Sequence, residues 1–132
     1  MAITLVIGLL KELGWRGVAL LARAESGDSD ATLARGVYLR SLRAGIAQMT
    51  TSMGGLDGLV FTGGVGQRSA SLRALAARGL HFLGIAIDDE RNGVSDADFE
   101  ITQSQATVRV FVVSAREDLE IARQTSAAMV SA

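Results

Sequence analysis

The sequence predicts an α/β fold, a mixed or mostly parallel sheet flanked by helices. Three observations carry it. A compact apolar run at 56–62 is followed at once by a glycine cluster and a helical pattern. An alternating, β-branched run at 107–113 is followed by a second helical pattern. A long segment with helical periodicity, 31–53, precedes the first of them. Strands that alternate with helices are joined by crossovers, and crossovers make neighbouring strands parallel.

Taken in order, residues 2–13 are apolar enough for a strand or a short helix, and their periodicity does not choose. A short helical turn is expected at 20–25, stopped by Ser26-Gly27. Asp28, Ser29 and Asp30 then offer N-cap oxygens to a helix over 31–53, with Leu33, Val37, Leu42, Ile46, Met49 and Met53 as its apolar face. Gly36 and Gly45 inside that helix each cost about 1 kcal/mol relative to alanine, which predicts another backbone packed close against them. Gly54-Gly55 ends it. The run at 56–62 has the character of a strand buried on both faces. A glycine turn, Gly63-Gly64-Val65-Gly66, leads to Ser69, which caps a helix bearing Leu72, Leu75 and Ala76 and ending at Gly79. Residues 81–87 form a second apolar stretch broken by Gly84, and 88–101 is polar with a turn signal at Asn92-Gly93. The clearest strand is 107–113. Ser114-Ala115-Arg116-Glu117 after it fits a capping box for a helix with Leu119, Ile121, Ala122 and Met129.

Composition narrows the function classes. The chain has 132 residues, 48% of them hydrophobic and 20% charged, which describes one globular domain or part of a larger one. Thirteen basic and fourteen acidic residues leave a net charge of −1, so no broad field draws it to nucleic acid or an anionic membrane. The absence of cysteine excludes disulfides, thiolate metal sites and thiol nucleophiles, and a single histidine excludes a multi-histidine cage. The longest apolar stretch, 2–10, is about half a membrane span and no basic residue precedes it, so a cytoplasmic setting is expected.

The strand–glycine–helix unit at 60–69 is the most informative feature. Glycines admit a ligand close to the backbone, and the helix after them presents free N–H groups to an anion. The same pattern also serves as a tight connection with no ligand, and both readings stand at this stage. A Walker A loop is excluded, because the only lysine is Lys11. A Rossmann fingerprint is excluded too: its third glycine falls on Ser69, and Asp88 or Asp89 is only loosely placed as the ribose acid. Arg68 and Arg73 flank the glycines, within reach of phosphate oxygens or bound for the surface. Glu117 and Asp118 follow the last strand, where carboxylates meet magnesium in α/β sheets. They equally suit a helix N-terminus. His81 lies in Gly-Leu-His-Phe-Leu-Gly, an apolar setting that predicts a structural histidine. Asp57, Asp88, Asp89, Asp96 and Asp98 read as loop acids.

From about Leu20 onward the chain resembles the C-terminal part of acetate kinases, in the superfamily of sugar kinases, actin and heat-shock chaperones. The run from Gly54 to Gly66 is similar to that family's second-domain adenosine motif. Leu72-Arg73, Gly79-Leu80, Leu83-Gly84-Ile85 and the block from Asp88 to Asn92 follow in the family's order. Residues 110–122 parallel its strand–Asn-Glu-Glu–helix element, and 20–28 its Ala-Glu-Ser-Gly-Asp stretch. The resemblance implies the second, actin-like or ribonuclease-H-like kinase domain, with 1–19 as a divergent segment and 20–132 as the nucleotide-binding domain. It also implies transfer of a phosphoryl group between ATP and acetate, giving ADP and acetyl phosphate, with Mg²⁺ and a homodimeric assembly. By the same resemblance Gly64, Val65, Gly66, Gln67 and Arg68 hold the adenosine and Glu117 helps bind magnesium. Gln67-Arg68 replaces the family's Glu-Asn, Arg116-Glu117-Asp118 its Asn-Glu-Glu, and Arg16-Gly17-Val18 an Asp-Met-Arg block. The phosphate loops, acetate pocket and catalytic acid, arginines and histidine belong to the part of such a kinase that has no counterpart here. Little turnover by this chain alone is therefore expected. A non-catalytic remnant or dimerisation domain is the alternative.

Overall fold

The computed structural model describes residues 4–8, 14–94 and 98–130. The order is β1 (Thr4–Gly8), α1 (Gly14–Glu25), α2 (Ser29–Met53), β2 (Gly58–Thr62), α3 (Gly63–Arg68), α4 (Ala70–Arg78), a 3₁₀ turn (His81–Leu83), α5 (Asp89–Asn92), β3 (Phe99–Glu100), β4 (Arg109–Val112) and α6 (Glu117–Val130). One four-stranded sheet runs β1-β2-β4-β3. The first three are mutually parallel and β3 is an antiparallel edge, the mixed α/β sheet that the alternation of elements predicts. In the ambiguous N-terminal stretch, Thr4 to Gly8 form a strand that pairs residue for residue with Gly58 to Thr62.

The helices show where periodicity was a good guide and where it was not. The turn expected at 20–25 is the end of a 12-residue helix from Gly14, because Leu21 and Ala24 bury against α2 and extend it. α2 begins as expected: Asp28 caps it by accepting from the Ala31 N–H at 2.9 Å, and Arg23 pairs with the same carboxylate. Both contacts, the Ala31 N–H first, lower the Asp28 pKa. Gly54 ends the helix in the left-handed conformation, φ 77°. Its apolar face is the expected one only in part: Leu42 and Ile46 turn to the core, Leu33 and Val37 do not. Ala31, Leu39 and Ile46 are buried with Tyr38 and Leu42 against them, while Leu33 and Val37 are 70% and 60% exposed. At about 100° per residue those two lie on the far side of the helix from Leu39, Leu42 and Ile46. Gly36 and Gly45 have no neighbour within 4 Å of where a Cβ would stand, so no close backbone accounts for them.

The core gathers Leu59 and Phe61 of β2, Val110 and Val112 of β4, Ile46 of α2, Leu72 and Ala76 of α4, and Leu80, Ile85 and Ile101 from the connections. Val60 is only half-buried, so β2 has one fully covered face rather than the two expected. α4 is capped by Ser69, whose hydroxyl accepts from the Leu72 N–H at 3.2 Å. Gly79 closes that helix for a reason of space. Arg43 of α2 donates to the Leu75 carbonyl, and its side chain fills the volume a Cβ at position 79 would need.

Gly84 closes the 3₁₀ turn at φ 80°, and its carbonyl accepts from the Thr107 and Val108 N–H groups, both at 3.1 Å. A methyl group there would meet Thr107 Oγ1 at 1.9 Å. Gly84→Ala is expected to cost about 2 kcal/mol, from the left-handed backbone alone and more from the contact. Thermal denaturation followed by circular dichroism should show the midpoint falling by several degrees. An unchanged midpoint would contradict this assignment of Gly84.

Candidate functional site

β2 and β4 are parallel neighbours in register from Gly58↔Arg109 to Phe61↔Val112, and the Val113 N–H extends the ladder to the Phe61 carbonyl at 2.9 Å. The chain therefore leaves both strands at the same carboxyl edge, the side on which α/β sheets receive ligands. At that edge the glycine run is not an open turn. Gly63 takes φ 78°, and Gly63–Arg68 coils into a six-residue helix, α3.

Three of those six residues are glycine, each costing about 1 kcal/mol in a helix, so tertiary contacts must hold it. Val65 is 2% exposed and part of the core, and the Ser69 N–H donates to the Val65 carbonyl at 2.9 Å. Gly66 is buried. Its carbonyl and that of Gln67 each accept from Arg73 Nη1 at 2.8 Å. Gly64 faces solvent with no atom within 4 Å of a would-be Cβ, and Arg68 is exposed. Gln67 Nε2 donates to Ser114 Oγ at 3.2 Å, tying α3 to the segment that leaves β4.

That segment departs from the expected capping box. α6 begins at Glu117, so Ser114 stands three residues before the helix, occupied by Gln67 and, through its own N–H, by Asp98 Oδ1 at 3.1 Å. Asp98, at φ 65°, also pairs with Arg116. It is an ordered partner of the β4–α6 junction rather than a free loop acid. Glu117 and Asp118 open α6. Among the described residues no three histidine, cysteine, aspartate or glutamate side chains gather to hold a metal.

Two residues behave unlike their sequence context. Arg73, expected to meet phosphate or solvent, is 2% exposed with its guanidinium fully engaged, because α5 folds over it. Burial lowers its pKa. Asn92, read as a turn residue, is 4% exposed beneath it. The only sequence signal for either was its place in a family-like block. His81, expected to be structural, is exposed on the rim of a depression of about 290 Å³ shared with Arg78, Asp88, Asp89 and Gln103. Leu80 is buried and Leu83 packs on the core, whereas His81 and Phe82 between them both face outward. Asp88 caps α5 by accepting from the Arg91 N–H at 2.9 Å.

Fold and edge together define the class: an α/β domain whose glycine-rich connection sits at the carboxyl edge of a mainly parallel sheet. The acetokinase family model matches residues 12–123, and this chain belongs to that family. It is 43% identical over 105 residues to an acetate kinase of Gloeobacter violaceus, a match covering 80% of this chain and 26% of that protein. It is 45% identical over 100 residues to a propionate kinase of Escherichia fergusonii, covering 76% of this chain and 24% of that protein. The crystal structure of Porphyromonas gingivalis acetate kinase superposes with a TM-score of 0.73 at 31% identity, covering 82% of this chain and 27% of that one. The chain thus spans about a quarter of the length of these relatives. β1 lies outside the matched residues yet adds a full strand to the sheet. No helix among the described residues is long and apolar enough to cross a membrane.

Proposed function

We propose that this chain is the nucleotide-binding part of an acetokinase-type phosphotransferase, transferring the terminal phosphoryl group of ATP to a short-chain carboxylate. The carboxylate oxygen attacks the terminal phosphorus, the bond to the bridging oxygen breaks, and ADP leaves as the acyl phosphate forms. The observation that carries this reading is the pairing of the two junctions at one sheet edge. β2 runs into the glycine helix and β4 runs toward Glu117, with Gln67 Nε2 and Ser114 Oγ 3.2 Å apart between them.

The residues Gly64, Val65, Gly66, Gln67 and Arg68 form the adenosine side. Gly64 presents bare main chain, Val65 and Gly66 fix its position from below, and Gln67 and Arg68 supply polar contacts. Glu117 is the magnesium residue. A magnesium ion that travels with nucleotide phosphates keeps most of its water and takes only one or two protein carboxylates. A single carboxylate from Glu117 would meet that need, and a protein cage is not required. The ion neutralises charge on the phosphates when bound. In-line transfer needs several charged groups to converge on the phosphate, and those belong to the larger part of the relatives that this chain does not span. The isolated chain therefore binds nucleotide in the cytoplasm as a homodimer but turns over little unless a complementary part is supplied.

The test is calorimetric titration with Mg-ATP and Mg-ADP, paired with a melting curve. A ligand at 100 times its dissociation constant adds about 2.7 kcal/mol, a rise of several degrees. No heat and an unmoved midpoint at millimolar nucleotide would retire this reading in favour of a domain that no longer binds.

A further inference from the structure

The side chain doing most to hold the candidate site together does not line it. Arg73 projects from α4 into the interior and donates to four acceptors: Asn92 Oδ1 at 2.7 Å, the Gly66 and Gln67 carbonyls at 2.8 Å each, and the Asn92 carbonyl at 2.9 Å. All four are neutral. A buried cation without a carboxylate is costly to desolvate, and a fold retains one only where its hydrogen bonds are well satisfied. Here the rigid fork of the guanidinium matches its acceptors, which a flexible ammonium cannot do at once. Two of those acceptors are the carbonyls at the C-terminal end of α3, where a positive charge is favoured. Asn92 completes the junction by donating Nδ2 to the Ala70 carbonyl at 2.8 Å, so α3, α4 and α5 meet at one guanidinium.

We propose that Arg73, seated on Asn92, is a positioning residue for the candidate nucleotide site: it keeps α3 helical and thereby sets the place of the Gly63-Gly64 main chain. It touches no ligand. Its consequence for affinity rests on the nucleotide reading above, whereas its hold on α3 does not.

The experiment separates the two. Hydrogen exchange by mass spectrometry on the unliganded chain compares wild type, Arg73→Lys and Arg73→Met over 63–69, with β2 and β4 as internal references. Losing charge-assisted hydrogen bonds should speed exchange over 63–69 by about tenfold or more in Arg73→Met, with Arg73→Lys between it and wild type and the strands little changed. Unaltered exchange over 63–69 overturns the proposal, and so does an equal acceleration everywhere, which marks Arg73 as a general stabiliser. If Arg73→Met does not fold, the same comparison is read from Arg73→Lys alone. Titration of folded Arg73→Lys with Mg-ADP should then show binding weakened by about tenfold, and unchanged affinity overturns the positioning role. A wild-type chain that binds no nucleotide overturns the functional reading and the effect on affinity, while the exchange data still decide whether Arg73 clamps α3.

Discussion

Phe61→Ala should lower the unfolding free energy by about 3–5 kcal/mol, the largest stability loss expected from a single substitution here. Phe61 is fully buried near the middle of β2, paired with Ile7 on one side and Val112 on the other, and its ring joins the single core. Removing it deletes apolar area and leaves a cavity that two neighbouring strands, held by their ladders, cannot close. Phe111 on β4 is the internal comparison. It is half-buried beneath the Arg109 guanidinium, 4.8 Å from its ring centre, and its replacement should cost much less. Urea unfolding would show a lower midpoint with an unchanged slope for Phe61→Ala. A loss below about 1 kcal/mol would mean that the sheet does not centre on β2.

The largest functional effect is expected from Gly64→Val. No atom lies within 4 Å of the Cβ position, and valine costs no more than glycine in a helix, so the chain should fold and melt as the wild type does. The added methyl groups would stand where the proposed ligand approaches the main chain, and Mg-ATP affinity should fall by at least about tenfold, roughly 1.4 kcal/mol. Calorimetry and a melting curve on the same sample read both effects. Wild-type affinity in the folded variant would place the nucleotide elsewhere. Gly66→Val is not a clean substitute, because Gly66 is buried and its carbonyl belongs to Arg73.

How much of this could be read from the chain alone depended on whether the signal was local. The α2 caps are local: Asp28 lies three residues before the Ala31 N–H it serves, and Gly54 needs only its own φ. The strands at 58–62 and 109–112 declared themselves by composition, and the resemblance to acetate kinases followed from blocks in the right order. On α2 the expected face held at Leu42 and Ile46 and failed at Leu33 and Val37, which are as apolar as the buried Leu39; only the position of the sheet tells them apart. The glycine run was misjudged for a related reason. Three glycines in six residues argue against a helix, and the arginine that makes it one lies on the next element.

The sequence by itself therefore determined the family, the alternation of strand and helix, and the caps of α2 and α4, since those signals lie along the chain rather than across it. The tertiary structure alone decided that α3 is helical, that Arg73 and Asn92 are interior, and that Gln67 meets Ser114. Those contacts join residues up to 47 positions apart, and a pairing between neutral carbonyls and a distant guanidinium leaves no periodic trace along the chain.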